Sequence, residues 1–226
     1  MYVKTDILKS EAEDQILDFI AFLRKIRGNF RHTLVFDSKL TSYDNLAQLD
    51  ADGITFITLR RRGKNMIQEA NAIPHSEWKR NTIDTPKRKY KNPLVHDSLI
   101  ELVGYGKIRQ LIMRDNGREN PAFFVTNDYT TDTAAMVQKY PKRWRIENSI
   151  EEAISFFNLN ALSSPILIKI HFDLVLTMIA DTLYYYLAQS LRGFENCDAK
   201  KIFRHFIDMP AKIEVKGKEI YIRVVA

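Results

Sequence analysis

The chain has 226 residues, of which 45% are hydrophobic, enough to fill the core of one sizeable domain or two small ones and to exclude a disordered chain. The single Cys197 excludes an internal disulfide, and the first ten residues lack the apolar stretch of a signal peptide, so we expect a cytoplasmic protein. The net charge is +6, and residues 60–118 alone hold fourteen Lys or Arg against six acids, while the rest is net −2. That cluster indicates a surface that faces a polyanion, with a solvated basic loop as the alternative.

The first quarter of the chain predicts alternating helices and strands. Ser10 and Glu13 form a capping-box pattern before a stretch of helical periodicity that stops at Gly28. "HTLVFD" then predicts a buried strand that ends at Asp37, "TSYDNLAQLDADG" a capped helix, and "ITFITLRRR" a second strand. Helix, strand, helix and strand joined by short links are typical of an α/β fold with a mainly parallel sheet.

Residues 63–127 contain several strand-like runs separated by turns and predict an antiparallel, β-rich insertion. The strand-like runs are "PLVHDSLIELVGYG", "IRQLIMRD" and "PAFFVTND", and "DNGREN" is a hairpin turn between the last two. We therefore divide the chain into a partial core (1–62), a basic β-rich insertion (63–127) and a helical completion of the core with C-terminal helices and a hairpin (128–226).

The last part predicts a helix in "KYPKRWRIENSIEEAISFF", a long helix capped by Ser164 and Pro165, a basic helix near "AKKIFRHFI" and a hairpin in "AKIEVKGKEIYIRVV". The long helix is the most apolar run of the chain. Charged or polar residues interrupt it, among them Lys169 and Asp181, so it predicts a buried helix and not a membrane span.

The segment at residues 139–157 combines cations, aromatic residues and one carboxylate. In a continuous helix Tyr140, Arg143 and Glu147 share one side, and Ile146 and Ile150 lie on a neighbouring side that we expect to be buried with Phe157. Glu147 would then lie at the edge of a core with a guanidinium one turn away. The alternative is a plain Arg143 to Glu147 helix pair, worth a few tenths of a kcal/mol.

Two carboxylates, Asp37 at a strand end and Glu147 on a helix, suggest a site for Mg²⁺ or Mn²⁺, which prefer oxygen ligands. For Asp37 alone, a turn or N-cap role is the alternative. Two such ions can cut or join phosphodiesters, and the nearby cations and aromatic rings would steer a nucleic acid. The five histidines show no metal-ligand spacing with Cys197. The predicted nucleic-acid contacts are Arg60, Arg62, Tyr140, Lys142, Arg143 and Trp144.

The segments "TLVFDSKLTSYDNLAQLDADGITFITLRRR" and "YPKRWRIENSIEEAISFFNLNALSS" resemble the DDE transposases of bacterial insertion sequences, in the IS-four-like branch. In that family a strand ends in the second catalytic aspartate, which matches Asp37. A Tyr, two residues, Arg, three residues, Glu pattern carries the third carboxylate, which matches Tyr140, Arg143 and Glu147.

The resemblance implies a ribonuclease H-like fold in which a β-rich insertion separates these two carboxylates. It also implies DNA binding, with metal-dependent cleavage and strand transfer at insertion-sequence ends by two divalent ions. The partners would be the element ends, target DNA and a second copy of the chain in a synaptic complex, with no membrane.

Two departures from the family pattern bear on activity. The family often has Lys seven residues after the Glu, and this chain has Ile154. The first catalytic aspartate is expected on a strand well upstream of Asp37, and Asp6 is the sole early candidate. We therefore expect this chain to be the C-terminal part of the family's catalytic domain, in a truncated and inactive form. A DNA-binding relic or regulator without chemistry, and a nuclease that cuts but does not join, remain the alternatives, so enzymatic activity stays open.

Overall fold

The computed structural model describes residues 4–5, 7–28, 32–37, 42–83 and 90–224, with the backbone alone for residues 9, 142–145, 222 and 224. The chain divides into two compact units. The sheet unit lies within Ile7–Trp144, and the helical unit is built from residues 4–5 and 145–224.

A mixed sheet of six strands forms the centre of the sheet unit, in the order β1-β2-β6-β5-β4-β3. β1 and β2 are parallel, and every other neighbouring pair is antiparallel. The strands are β1 (Leu34–Phe36), β2 (Phe56–Leu59), β3 (Lys79–Arg80), β4 (Leu94–Leu102), β5 (Gly106–Arg114) and β6 (Ala122–Thr126).

Four α-helices accompany this sheet, and local sequence signals fix their ends. The Ser42 hydroxyl accepts the Asn45 N–H at the start of α2, and Gly28, at φ +66°, closes α1 with an N–H to the Arg24 carbonyl. α2 connects β1 to β2, since parallel neighbours need a crossover. The helices are α1 (Gln15–Arg27), α2 (Tyr43–Ala51), α3 (Lys64–Ala72) and α4 (Thr133–Lys139), and the 3-10 helices include Lys9–Asp14 and Tyr140–Arg143.

The two faces of the sheet are covered by different helices because side chains alternate along each strand. On one face, Ile108 of β5 packs with buried residues of α1 and α2, and Ile112 packs with Ala70 of α3. On the other face, Leu111 packs with Met136 of α4. The sheet unit is therefore a three-layer α/β structure with its own core.

The side chain of Asn127 extends the pairing of β2 with β6 beyond the last residue of β6. Its Oδ1 accepts the Phe56 N–H at 2.9 Å, while its Nδ2 donates to the Ile54 carbonyl at 3.0 Å and to Asp50 Oδ1 at 2.6 Å. The amide thereby ties the end of α2 to the start of β2.

The helical unit consists of three helices and a hairpin: α5 (Trp144–Ser155), α6 (Leu167–Ser190), α7 (Ala199–Phe206), β7 (Ala211–Lys216) and β8 (Glu219–Val224). Phe156 is its aromatic centre and contacts the rings of Phe157, Tyr184 and Phe203. Gly217, at φ +63°, turns the hairpin. Within the described ranges, no helix combines the length and hydropathy needed to cross a membrane.

The structure confirms an α/β fold, an antiparallel β-rich segment before residue 127 with the hairpin at "DNGREN", and the separate terminal hairpin. The prediction of a mainly parallel sheet was wrong, because among the described strands just one neighbouring pair is parallel. Helix α3, inside the predicted β-rich insertion, was not predicted. The three-part division of the chain remains a prediction.

The segment 139–157 is not one continuous helix. α4 ends at Lys139, a 3-10 helix covers Tyr140–Arg143, and α5 begins at Trp144. Pro141 explains the tightened turn, since proline lacks the N–H that an α-helix would need there. The predicted burial of the neighbouring stripe was also wrong, because Ile146 and Ile150 are 61% and 51% exposed.

Candidate functional site

Asp37 lies at the edge of the sheet where the carboxyl ends of β1 and β2 meet. It directly follows β1 and is half-buried, and the basic run that starts at Arg60 directly follows β2. Because the two strands are parallel, both chain segments leave the sheet at the same edge. A carboxylate and a group of cations thus share one side of the sheet unit.

The 3-10 helix Tyr140–Arg143 lies against β1. The ring of Tyr140 packs edge-on against Phe124, with ring centroids 4.4 Å apart, and Pro141 beside it is buried. The start of the predicted Tyr, Arg, Glu pattern is therefore held next to the strand that leads to Asp37. The side chains of Lys142, Arg143 and Trp144, three of the predicted nucleic-acid contacts, lie outside the described residues.

Glu147 is exposed in the first turn of α5 and belongs to the helical unit, whereas Asp37 belongs to the sheet unit. Their pairing around a metal ion stays a prediction. Among the described residues, no cluster of three or more His, Cys, Asp or Glu side chains could hold a metal ion.

The two predicted arginines after β2 differ in accessibility. Half-buried Arg60 donates from Nη1 to Gln110 Oε1 at 2.8 Å and from Nε to the Tyr43 hydroxyl at 3.3 Å. Arg62 is exposed and makes one long hydrogen bond, to the Pro121 carbonyl at 3.3 Å. Arg62 can therefore reach a ligand without breaking a network, while Arg60 mainly fixes the sheet surface.

A cavity of about 230 Å³ opens beside this edge, between the start of α2 and β2. Ser42 and Tyr43 line one side, Thr58 lines the other, and an ion pair of Arg61 with Glu13 at 3.4 Å contributes a charged wall. The Thr58 hydroxyl is buried and has no hydrogen-bond partner in the described part of the chain. The cavity is thus mixed in polarity.

Eight of the cations in residues 60–118 are exposed on the sheet unit: Arg61, Arg62, Lys64, Lys79, Arg80, Lys91, Lys107 and Arg118. Near the far end of the sheet, the Arg114 guanidinium stacks over the Trp78 ring at 3.9 Å. Lys87, Arg88 and Lys89 lie outside the described residues. The basic excess is therefore largely a surface property, as the polyanion-facing interpretation requires.

Arg109 is the buried one among the described cations of this segment, and sequence pattern did not predict its role. It is 8% exposed, in the middle of β5, and forks onto Asp97 of β4 with Nε to Oδ1 at 3.0 Å and Nη2 to Oδ2 at 2.6 Å. The register of the β4–β5 hairpin places Leu99 opposite Arg109, so Asp97 is a same-face diagonal neighbour. Counting from the hairpin turn could have found this pair.

The carboxylates near Arg109 are held in their ionised form. Burial would raise the pKa of Asp97, but hydrogen bonds from Arg109 and Thr133 outweigh it and lower that pKa. Burial likewise opposes ionisation of Asp128, whose pKa is nevertheless lowered by hydrogen bonds from Thr131 and Thr130. The hydrogen bond to Asp97 in turn raises the pKa of Arg109.

Comparison with known proteins assigns the chain to one family. A family model described as "Transposase DDE domain" matches residues 10–183, which is most of the chain and spans both Asp37 and Glu147. A search of curated proteins finds no match.

Proposed function

Because the chain belongs to the DDE transposase family, we propose that it is the C-terminal part of an IS-four-like catalytic domain with a ribonuclease H-like fold, acting on DNA in the cytoplasm. The complete domain would cleave DNA at insertion-sequence ends and join it to a target, within a synaptic complex of two copies. The observation that carries this proposal is the 3-10 helix Tyr140–Arg143 lying against β1, the strand that leads into Asp37.

Asp37 and Glu147 are the two carboxylates that we assign to metal binding. This assignment is supported by Asp37 directly following a sheet strand and by Glu147 coming four residues after Arg143. Transposases of this family generally use divalent ions, and Mg²⁺ or Mn²⁺ bound there would stabilise the charge that develops on phosphate oxygens. Arg143 and Lys142 would hold the phosphates, and Trp144 or Tyr140 would stack on a base.

We also propose that Asp37 and Glu147 alone do not complete the metal site. β1 is the last strand of the sheet and has one strand neighbour among the described residues. A further parallel strand beside β1 would bring its own carboxyl end next to Asp37, where the first catalytic aspartate of the family is expected. Two ligands in place of three would leave the ions poorly fixed.

The second candidate function is a DNA-binding relic or regulator that performs no chemistry. The eight exposed cations of the sheet unit favour it, because they can neutralise phosphates without any metal site. This candidate and the truncated transposase share the binding step and differ in whether the carboxylates still bind metal.

DNA binding and DNA cleavage are tested separately on the full chain. Anisotropy of a labelled 40-bp duplex should show an affinity that falls at least about tenfold between 50 and 200 mM salt. Arg62→Ala should reduce the salt slope by about one, whereas Arg27→Ala, an exposed cation on α1, should leave it unchanged. An absence of binding at low salt would contradict the proposed function.

Nicking of supercoiled plasmid with Mg²⁺ or Mn²⁺ tests the chemistry. We expect no nicking above the background of Glu147→Gln. Nicking that Glu147→Gln abolishes, and that Glu151→Gln on the same helix retains, would show a complete site and refute the truncation. Binding of Mn²⁺ that weakens in Asp37→Asn would favour the truncated transposase over the relic.

A further inference from the structure

Arg109 is a buried cation whose donors are directed at Asp97 of β4 and at the loop between β6 and α4. Besides the fork onto Asp97, its Nη1 donates to the Asp128 carbonyl at 2.9 Å and to the Thr131 carbonyl at 2.6 Å. Both carbonyls belong to the loop between β6 and α4. A buried guanidinium is costly unless its N–H groups are satisfied, so this arrangement holds the loop in one conformation.

The same network reaches both ends of α4. At the first residue, the Thr133 hydroxyl donates to Asp97 Oδ2 and lies 3.4 Å from Arg109 Nη2. At the last residue, Lys139 Nζ lies 3.4 Å from Asp128 Oδ2. Asp128 also accepts the backbone N–H groups of Thr130 and Thr131, at 3.1 and 2.9 Å. α4 is thereby fixed to β4 and β5 by polar contacts as well as by its buried Met136 and Val137.

The segment that follows α4 is the one that the proposed function uses. Tyr140 comes directly after Lys139, packs on Phe124 and begins the 3-10 helix that lies against β1. A tilt of α4 would therefore move Tyr140 and the backbone of Arg143 relative to the strand that leads to Asp37. Lys at position 109 could not replace the fork, since an ammonium group cannot hold a carboxylate and two carbonyls in one plane.

We propose that Arg109 is a positioning residue: through Asp97, Thr133 and the loop at 128–131 it fixes α4 and the 3-10 helix Tyr140–Arg143 against β1. The functional meaning of this role rests on the proposed function, whereas the fixing of the segment does not. Arg109 itself is buried and contacts no DNA.

Hydrogen–deuterium exchange on the full chain tests the fixing directly. In Arg109→Lys, amides of residues 133–143 should exchange at least about tenfold faster than in the wild type, while those of α1 and α2 stay unchanged. The matched control is Arg24→Lys, which removes an arginine that binds both the carboxylate and the carbonyl of Asp52, each at 3.1 Å. It should accelerate exchange in α1 and α2 and leave residues 133–143 as they were.

Unchanged exchange at 133–143, or equal acceleration throughout the sheet unit, would overturn the proposal. Should Arg109→Lys fail to fold, Thr133→Val removes one hydroxyl alone and should accelerate the same segment by about threefold. A second readout is the salt slope of DNA binding, which should fall in Arg109→Lys and hold in Arg24→Lys, because a role confined to stability would not move it. If the wild type binds no DNA, the proposed function fails and exchange alone decides the positioning role.

Discussion

The two units of the chain bury their apolar residues to very different degrees. The sheet unit has three clusters of buried side chains on the two faces of its sheet. In the described part of the helical unit the buried apolar residues are Ala188, Ala199 and Ile202, while α6 exposes Phe172 and Leu183 by 60% and 64%. Since stability comes mainly from burial, the sheet unit carries the core and the helical unit contributes little to it.

The largest expected difference in stability is between two leucine-to-alanine variants, one in each unit. Leu49 is 0% exposed and packs in the cluster shared by α1, α2 and the sheet, so Leu49→Ala should reduce the free energy of unfolding by about 3 kcal/mol. Leu183→Ala should change it by less than about 0.5 kcal/mol. Urea denaturation of both variants measures the difference, and equal losses would mean that α6 is covered in solution.

An intermediate effect is expected from the ion pair of buried Arg109 with Asp97, whose side chain is 27% exposed. Asp97→Asn leaves Arg109 without its carboxylate and should cost about 2 kcal/mol at pH 7, less than for a fully buried pair. Because folding lowers the pKa of Asp97, its contribution is complete above the ordinary value of 3.8 and is lost as the pH falls through the lowered value. The gap between wild type and variant should therefore close in acid.

Asp115→Asn is the matched control for this pH series. Asp115 pairs with Arg80 at 3.7 Å on the surface, with both side chains more than half exposed. Its loss should cost less than about 0.5 kcal/mol. Chemical denaturation between pH 2 and pH 7 compares the two variants, and a gap for Asp97→Asn that does not narrow below the ordinary pKa of 3.8 would contradict the assignment.

The smallest effect should come from Glu152 in the helical unit, and its sign is opposite. Partial burial raises the pKa of Glu152, and repulsion from Asp181 and Asp198 adds to this, against a hydrogen bond from the Ala199 N–H. The stability present in acid is therefore lost as the pH rises above the ordinary value of 4.5. Glu152→Gln should stabilise the protein at pH 7 by less than about 0.5 kcal/mol.

The exposed neighbour Glu151 provides the control, since Glu151→Gln changes the same charge without the burial. Thermal unfolding at pH 4 and pH 7 should separate the two variants at pH 7 only. A destabilised Glu152→Gln at pH 7 would show that the hydrogen bond to Ala199 needs the charged form.

Periodicity predicted the sheet unit well where strands and helices bury one face. β4, β5 and β6 followed from their apolar runs and the turn between the last two, and α2 followed from its cap. α3 was not predicted because "KNMIQEANA" is mostly polar and shows no clear apolar periodicity. Gly63 before it and Pro74 after it are the main signals of a helix there. The few apolar residues of α3 stabilise it by packing on the sheet, and this tertiary contact is not visible in the sequence of the helix alone.

The candidate site was predicted less completely than the fold. The positions of Asp37 after β1 and of Glu147 on a helix follow from sequence pattern alone. The break at Pro141 does not, because it depends on how the chain turns toward β1. The partner of Arg109, twelve residues away, follows from the hairpin register, but the burial of Arg109 depends on the loop and on α4, which cover it. The charge count over residues 60–118 treats Arg109 as a surface cation, whereas in the structure Arg109 is buried.

The side-chain amide of Asn127 is also a position where deamidation would disturb the fold. Its nitrogen donates to the Ile54 carbonyl and to the Asp50 carboxylate, both acceptors. Slow hydrolysis of that amide, the ageing reaction of asparagine, would place a new negative charge against these two oxygens. A single deamidation would turn the attraction that joins α2, β2 and β6 at this corner of the sheet into a repulsion.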